Sequence, residues 1–220
     1  MWALIYKEFV QLRHYLLQVS AAIVLAVVLF GHSLEGFILS YLSIMPLVMA
    51  LTFPQFLFGM EDRGNTLVFL RSLPVRPRQI VAAKYIVSVM IVLGLMLFGL
   101  GYALSVGKLE QALVSAGPNL VIAAFLLAIS LYLHFRLGTN SAKIALLVSL
   151  MLLTLLGLAV MQNRQILASV AALPVVQWVL AILGSWQGAI FGLVVGAGIL
   201  MLSFIASSNA FTRQDVSRIP

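Results

Sequence analysis

An all-α integral membrane protein with six transmembrane helices is the fold this sequence predicts, on the strength of its composition, the spacing of its apolar runs and the sorting of its charges. Of the 220 residues, 63% are hydrophobic and 9% charged, against roughly 25% charged in a soluble domain. The mean hydropathy is +1.13. A bilayer core about 30 Å thick takes roughly 20 apolar residues per helix, so this length supplies six spans and their connections as one transmembrane domain, 1–220. It leaves no room for a second, soluble domain. With no cysteine, disulfides, thiol catalysis and cysteine-ligated metals are excluded.

Residues Met1 to His14 place Trp2, Ile5, Phe9 and Leu12 at steps of three and four, with Lys7, Gln11 and His14 opposite. That pattern predicts an amphipathic helix over 1–14 lying in the membrane interface; the alternative is a cytosolic extension of the first span. The apolar stretch after Lys7, Glu8 and Arg13 has no small-residue cleavage site, so a retained helix is expected. Apolar runs follow at Tyr15 to Phe30, Gly36 to Met60, Tyr85 to Tyr102, Asn119 to Phe135, Ile144 to Met161 and Trp186 to Ala206. These are the six spans. Pro46 and Pro54 should kink the second. The segment 163–183 is apolar, yet it is broken by Pro174 and carries Arg164, Gln165 and Gln177. It reads as two short helices re-entering the outer leaflet, with a seventh span as the alternative.

With the N-terminus in the cytosol, one side receives Lys7, Arg13, Arg63, Arg71, Arg76, Arg78, Lys84, Arg136, Lys143, Arg213 and Arg218, and the other only Lys108 and Arg164. This bias places both termini in the cytosol and supports an even number of spans. The net charge of +7 is then a consequence of topology. No nucleic-acid partner is expected, since the basic residues lack the interleaved aromatics of a strand-binding groove.

The longest charged connection runs from Glu61 to Lys84 and holds five basic residues, Arg63, Arg71, Arg76, Arg78 and Lys84. Asn65 or Thr66 can cap a short helix with Leu67, Leu70 and Leu73 along one side, ended by Pro74. Such an element can dock a partner or lie on anionic lipid. The order Glu61, Gly64, Thr66-Leu67, Leu70, Ser72-Leu73-Pro74-Val75, Arg78, Ile80-Val81 and Lys84 resembles the loop between the second and third spans of ABC-2 type transporter permeases. Within that family the chain is most similar to small bacterial permeases of the type that exports phenol-soluble modulins, which are amphipathic helical peptides.

The resemblance implies a coupling helix docked in a cleft of an ATP-binding-cassette ATPase. Gly64, Thr66, Leu67, Leu70, Leu73 and Pro74 would sit in the cleft, with Glu61, Arg63 and Arg71 making polar contacts. Asn65 departs from the pattern by separating Gly64 from Thr66. The resemblance further implies a second permease subunit, a multi-pass protein of the bacterial plasma membrane, and export of a hydrophobic or amphipathic substrate, amphipathic peptides among them. ATP and magnesium would bind the partner; no cofactor is expected in this chain.

No Gly-x-x-x-x-Gly-Lys-Ser/Thr phosphate loop occurs, so the chain is not expected to be an enzyme. His14, His32 and His134 lack metal-ligand spacing, and each reads as an interfacial polar residue. The spans as drawn contain no Asp, Glu, Lys or Arg, with Lys84 and Lys143 just before spans begin, which disfavours an ion-coupled secondary transporter. That class and a non-transporting membrane scaffold are the alternatives. Tyr41, Ser43, Thr52, Gln55, Ser130, Tyr132 and Thr154 are neutral polar residues that could line a substrate path or simply join helices by hydrogen bonds. Gly184, Gly188, Gly192 and Gly196 recur every four residues, a small-residue face that lets another helix approach closely.

Overall fold

A computed structural model describes residues 2–30, 35–63, 76–162, 173–183, 185 and 187–213. The described residues form seven helices: α1 (Trp2–Phe30), α2 (Glu35–Arg63), α3 (Pro77–Ser105), α4 (Leu109–Leu137), α5 (Thr139–Gln162), α6 (Pro174–Leu183) and α7 (Gln187–Arg213). Six are 24 to 29 residues long and α6 has ten. At about 1.5 Å per residue a 29-residue helix is about 43 Å long, so it projects beyond a hydrocarbon core of about 30 Å. Hydropathy marks only the part in lipid. For that reason α3, α4 and α5 begin at Pro77, Leu109 and Thr139, earlier than the apolar runs that start at Tyr85, Asn119 and Ile144.

The breaks between helices have local causes. Val106, Gly107 and Lys108 end α3 in a Schellman turn: the Gly107 amide donates to Leu104 O and the Lys108 amide to Ala103 O, with Gly107 at φ 73°. A residue with a Cβ is strained at that φ, so glycine is required there. Gly138 makes the α4–α5 break at φ 77°, its amide donating to His134 O. Pro77 opens α3, where its missing N–H costs no hydrogen bond. Pro46 and Pro54 lie inside α2, both fully buried, and Pro118 lies inside α4. Buried prolines of this kind are tolerated because neighbouring helices close over the interrupted ladder.

The N-terminal segment corrects one expectation. Residues 2–14 are not a separate interfacial helix; α1 runs unbroken to Phe30, with Ile5 and Leu12 in the main core. This agrees with the extension alternative. The 163–183 segment is described only from 173, and there α6, opened by Pro174, is one short helix beside α4 and α7. The remainder of the expected re-entrant pair, 163–172, lies outside the described residues.

The long helices alternate in direction. Lys7 near the start of α1 meets Glu61 near the end of α2, which meets Lys84 near the start of α3. Phe58 of α2 contacts His134 and Phe135 near the end of α4, and Phe135 contacts Phe211 near the end of α7. One end of the bundle is therefore built from these five chain segments, and the core clusters around it, with Phe53, Leu57, Phe58, Val81, Leu127 and Leu131 almost fully buried. Elsewhere the bundle exposes large apolar side chains, such as Val28, Leu97, Leu147, Met151, Leu193 and Met201. A surface of that kind requires a lipid solvent. Among the described residues, four helices are long and apolar enough to cross a membrane: Leu42–Glu61, Pro77–Ser105, Leu109–Leu137 and Gln187–Thr212.

Candidate functional site

The segment 64–75 joins α2 to α3, so whatever holds those two helix ends positions the loop. Glu61 sits three residues before the loop and is fully buried. Its Oε1 accepts a hydrogen bond from Lys7 Nζ at 2.7 Å, and its Oε2 pairs with Lys84 Nζ at 2.8 Å. Glu8 completes the group, with Oε1 3.3 Å from Lys7 Nζ and 3.5 Å from Lys84 Nζ. Lys84 is fully buried and lies 4.6 Å from the centroid of the Phe58 ring, a geometry in which the ring's negative face attracts the ammonium. Two lysines and two glutamates cancel in charge. Ion pairs of this kind are how membrane proteins tolerate buried ionisable groups, which face the bundle interior and satisfy one another. Burial alone would draw the Lys7 ammonium's pKa down, but the carboxylates of Glu61 and Glu8 outweigh it and hold the group above the ordinary lysine range.

Two expectations change here. Lys84 is not a loop residue ahead of a span; it lies inside α3 and inside the core. Glu61 does not offer a polar contact to a partner, because its carboxylate is committed to Lys7 and Lys84 and no part of it is exposed. Both corrections have one cause: a carboxylate and an ammonium near a helix end count as solvated until a long-range partner is known. Glu8 was missed altogether. Its signal was its place between Ile5 and Leu12 at steps of three and four, on the apolar face of α1 rather than the polar one.

Beneath the ion cluster an aromatic layer joins α2, α3, α4 and α7. Phe58 stacks on His134 at 5.0 Å and meets Phe135 edge-on at 4.9 Å, while Phe135 meets Phe211 at 5.5 Å. His134 is buried, its Nδ1 2.7 Å from Ser130 O; it is a core residue, not an interfacial one. On α3, Tyr85 Oη lies 2.7 Å from Ser203 Oγ and 2.8 Å from Ser207 Oγ, and Ser203 Oγ donates to Ala128 O at 2.8 Å. These hydroxyls tie α3, α4 and α7 together. Burial raises the cost of leaving any of them unpaired.

The α4–α7 seam is a backbone contact. A Cβ at Gly117 would stand 2.5 Å from Gly188 O, and one at Gly192 would collide with Gly117 O. A Cβ at Gly196 would lie 3.1 Å from Ala124 Cβ. Gly188, Gly192 and Gly196 thus meet α4 on one face, and Gly184 lies outside the described residues.

Several of the neutral polar residues are engaged in hydrogen bonds. Thr52 donates to Val48 O at 3.0 Å and Thr154 to Leu150 O at 3.0 Å, each within its own helix. Tyr132 Oη accepts from Arg136 at 2.9 Å. Ser130 donates to Leu51 O at 3.5 Å, and Ser43 O accepts from Asn119 at 3.3 Å. Gln55 is half-buried on α2, and the side chain of Tyr41 lies outside the described residues. The loop residues Gly64, Thr66, Leu67, Leu70, Arg71, Leu73 and Pro74 lie outside them as well, as does the side chain of Arg63. Among the described residues, no group of three or more His, Cys, Asp or Glu could hold a metal ion.

Comparison with known proteins decides what such a bundle is. The family described as ABC-2 family transporter protein matches residues 3–212, which is nearly the whole chain. The chain belongs to the ABC-2 transporter family. No curated protein and no solved structure gives a significant match. An ABC-2 chain is a multi-pass membrane permease, the transmembrane component of an ATP-binding-cassette transporter and not its ATPase. Membership implies an ABC ATPase partner.

Proposed function

We propose that this permease crosses the membrane six times with both termini in the cytosol of a bacterial cell, and that two copies, or one copy and a similar chain, join two ATPase subunits to export a hydrophobic or amphipathic substrate. Amphipathic peptides are one substrate class within that proposal. The observation that carries the reading is the family match over 3–212, together with a basic α2–α3 connection at the bundle end where Lys7, Arg76, Arg78, Lys84, Arg136 and Lys143 collect. Clustering of lysine and arginine on one side supports a cytosolic position for that end.

Docking falls to Gly64, Thr66, Leu67, Leu70, Leu73 and Pro74, with Arg63 and Arg71 providing polar contacts; ATP and magnesium bind the ATPase alone. Closure of the ATPase subunits on ATP would push the loop and rearrange the bundles. Thr52, Gln55 and Tyr132, with Tyr41, are proposed to line the path, where many weak contacts release what they bind.

Leu70→Asp and Leu73→Asp test this reading, because a charge on the apolar side of the docking helix opposes its burial in a cleft. The permease should purify from membranes with its ATPase bound, and each variant should lose that partner or its stimulation of ATP hydrolysis while the permease itself stays folded. Full stimulation by both variants refutes docking through this loop. A permease that carries out transport without nucleotide is a secondary carrier.

A further inference from the structure

The ion cluster binds three segments that are distant in sequence. Lys7 and Glu61 are 54 residues apart, and Lys84 lies on the far side of the loop. Glu61 ends the helix entering the loop, and Lys84 lies on the second turn of the helix leaving it. Both are clamped to one turn of α1, at Lys7 and Glu8, and Glu61 and Lys84 are fully buried.

Above this layer α1 packs through apolar side chains, with Ile23 buried against Leu42 and with Val19, Met45, Leu95 and Tyr102 around them. An apolar groove of about 360 Å³ separates its next turns from α3, walled by Leu16, Leu17 and Ile23 on one side and by Ile91, Leu95 and Phe98 on the other. Tyr15 against Phe56, with ring centroids 4.3 Å apart, and Tyr15 Oη at 3.6 Å from Met49 Sδ are side-chain contacts of α1 with α2. Apolar contacts of this type slide with little directional preference. The Lys7–Glu61 hydrogen bond at 2.7 Å is charge-assisted and directional, and the Lys84–Glu61 ion pair at 2.8 Å joins two fully buried charges, so each selects its partner.

Stability alone does not account for the cluster. Well-packed apolar residues of the same volume stabilise a core as well as a buried ion network does, whereas the network fixes which segments pair and in what register. We propose that Lys7, Glu8, Glu61 and Lys84 form a joint that makes α1 move as one body with the two ends of the α2–α3 loop, so that a push on the loop is delivered to α1. This rests on the docking reading only for the source of the push. Glu8 and Lys84 are positioning residues: they act through the loop's base and touch neither nucleotide nor substrate.

The absence of cysteine makes the joint measurable. Spin labels at Tyr6→Cys, an exposed position of α1, and at Arg78→Cys, an exposed position where α3 leaves the loop, report their separation in the full-length permease, with labelled chains diluted into unlabelled ones. The intact cluster should give one narrow distance in the permease alone, and the same distance with the ATPase bound, both nucleotide-free and vanadate-trapped. Glu8→Gln should broaden that distribution. The paired change Glu61→Gln with Lys84→Gln should broaden it further, and it removes opposite charges together so that no buried charge is stranded. A narrow, unchanged distance in both variants overturns the joint, and so does an intact permease whose two labels shift relative to each other on trapping. If the ATPase never binds the intact permease, docking fails while the labels in the permease alone still decide the joint.

Discussion

Along α4 and α7 the two backbones touch. Gly117 lies against Gly188 and Gly192, and no side chain stands between the helices there. The attachment of α1 is of a different kind, with charged tips at one end and apolar side chains beside a groove facing α3 further along. Backbone contact between small residues is close, rigid and tolerant of no added atom. Charged tips fix a direction and a partner instead. The bundle thus pairs a backbone-to-backbone seam with a helix fixed at one end by charge and along the rest by apolar side chains.

The largest effect comes from breaking the seam. Gly192→Leu places a side chain where even a Cβ meets the Gly117 carbonyl, so α7 must leave α4 at a cost of about 3 kcal/mol or more. The variant should be lost from the monodisperse peak in detergent size-exclusion chromatography. Gly198→Leu is its control: nothing stands within 4 Å of a Cβ at that position, and its elution should match the unaltered protein. Equal damage from both would mean that helix composition, not the seam, sets the fold.

Next comes the joint. Lys84→Met leaves Lys7 as the one cation of the cluster for the two buried carboxylates of Glu8 and Glu61, and breaking a buried pair from one side costs about 3–5 kcal/mol. The melting temperature, followed by tryptophan fluorescence, should fall by more than it does for the paired neutral variant Glu61→Gln with Lys84→Gln. The reverse order would show that the ions add less than the space they fill. Tyr85→Phe is milder. It removes the hydroxyl shared by Ser203 and Ser207 at 2.7 and 2.8 Å, and the strand of lost hydrogen bonding should cost about 1–2 kcal/mol. An unchanged melting temperature would mean that the serines find other partners when α3 and α7 relax.

The seam and the joint were not equally legible in the sequence. The spacing of Gly188, Gly192 and Gly196 announces a close-packing face, because a four-residue period stacks on one side of a helix. It does not name the neighbour, and Gly117 beside Pro118 gave no reason to be singled out. Long apolar runs located the helices, since lipid solvation leaves its mark residue by residue. It failed at their ends, where Pro77 to Lys84 and Leu109 to Pro118 are helical outside the apolar windows. The joint was illegible for a physical reason: the buried state of Glu61 exists only because Lys7 and Lys84 arrive from elsewhere in the chain, and a single sequence carries no record of which charges meet. The docking segment 64–75 stands only as a resemblance, because it lies outside the described residues.

The smallest effect tests the groove beside α1. Gly94 lines the groove between α1 and α3, and a Cβ there would meet nothing within 4 Å. Alanine is the better helix former by about 1 kcal/mol, so Gly94→Ala should raise the melting temperature slightly and leave stimulation of the ATPase unchanged. A loss of stability would mean that α1 closes onto α3 at Gly94 in the protein as measured. A stability gain accompanied by weaker coupling would point the other way: Gly94 would then be there because α3 must flex at that turn, and the extra helical stiffness of alanine would hold it still.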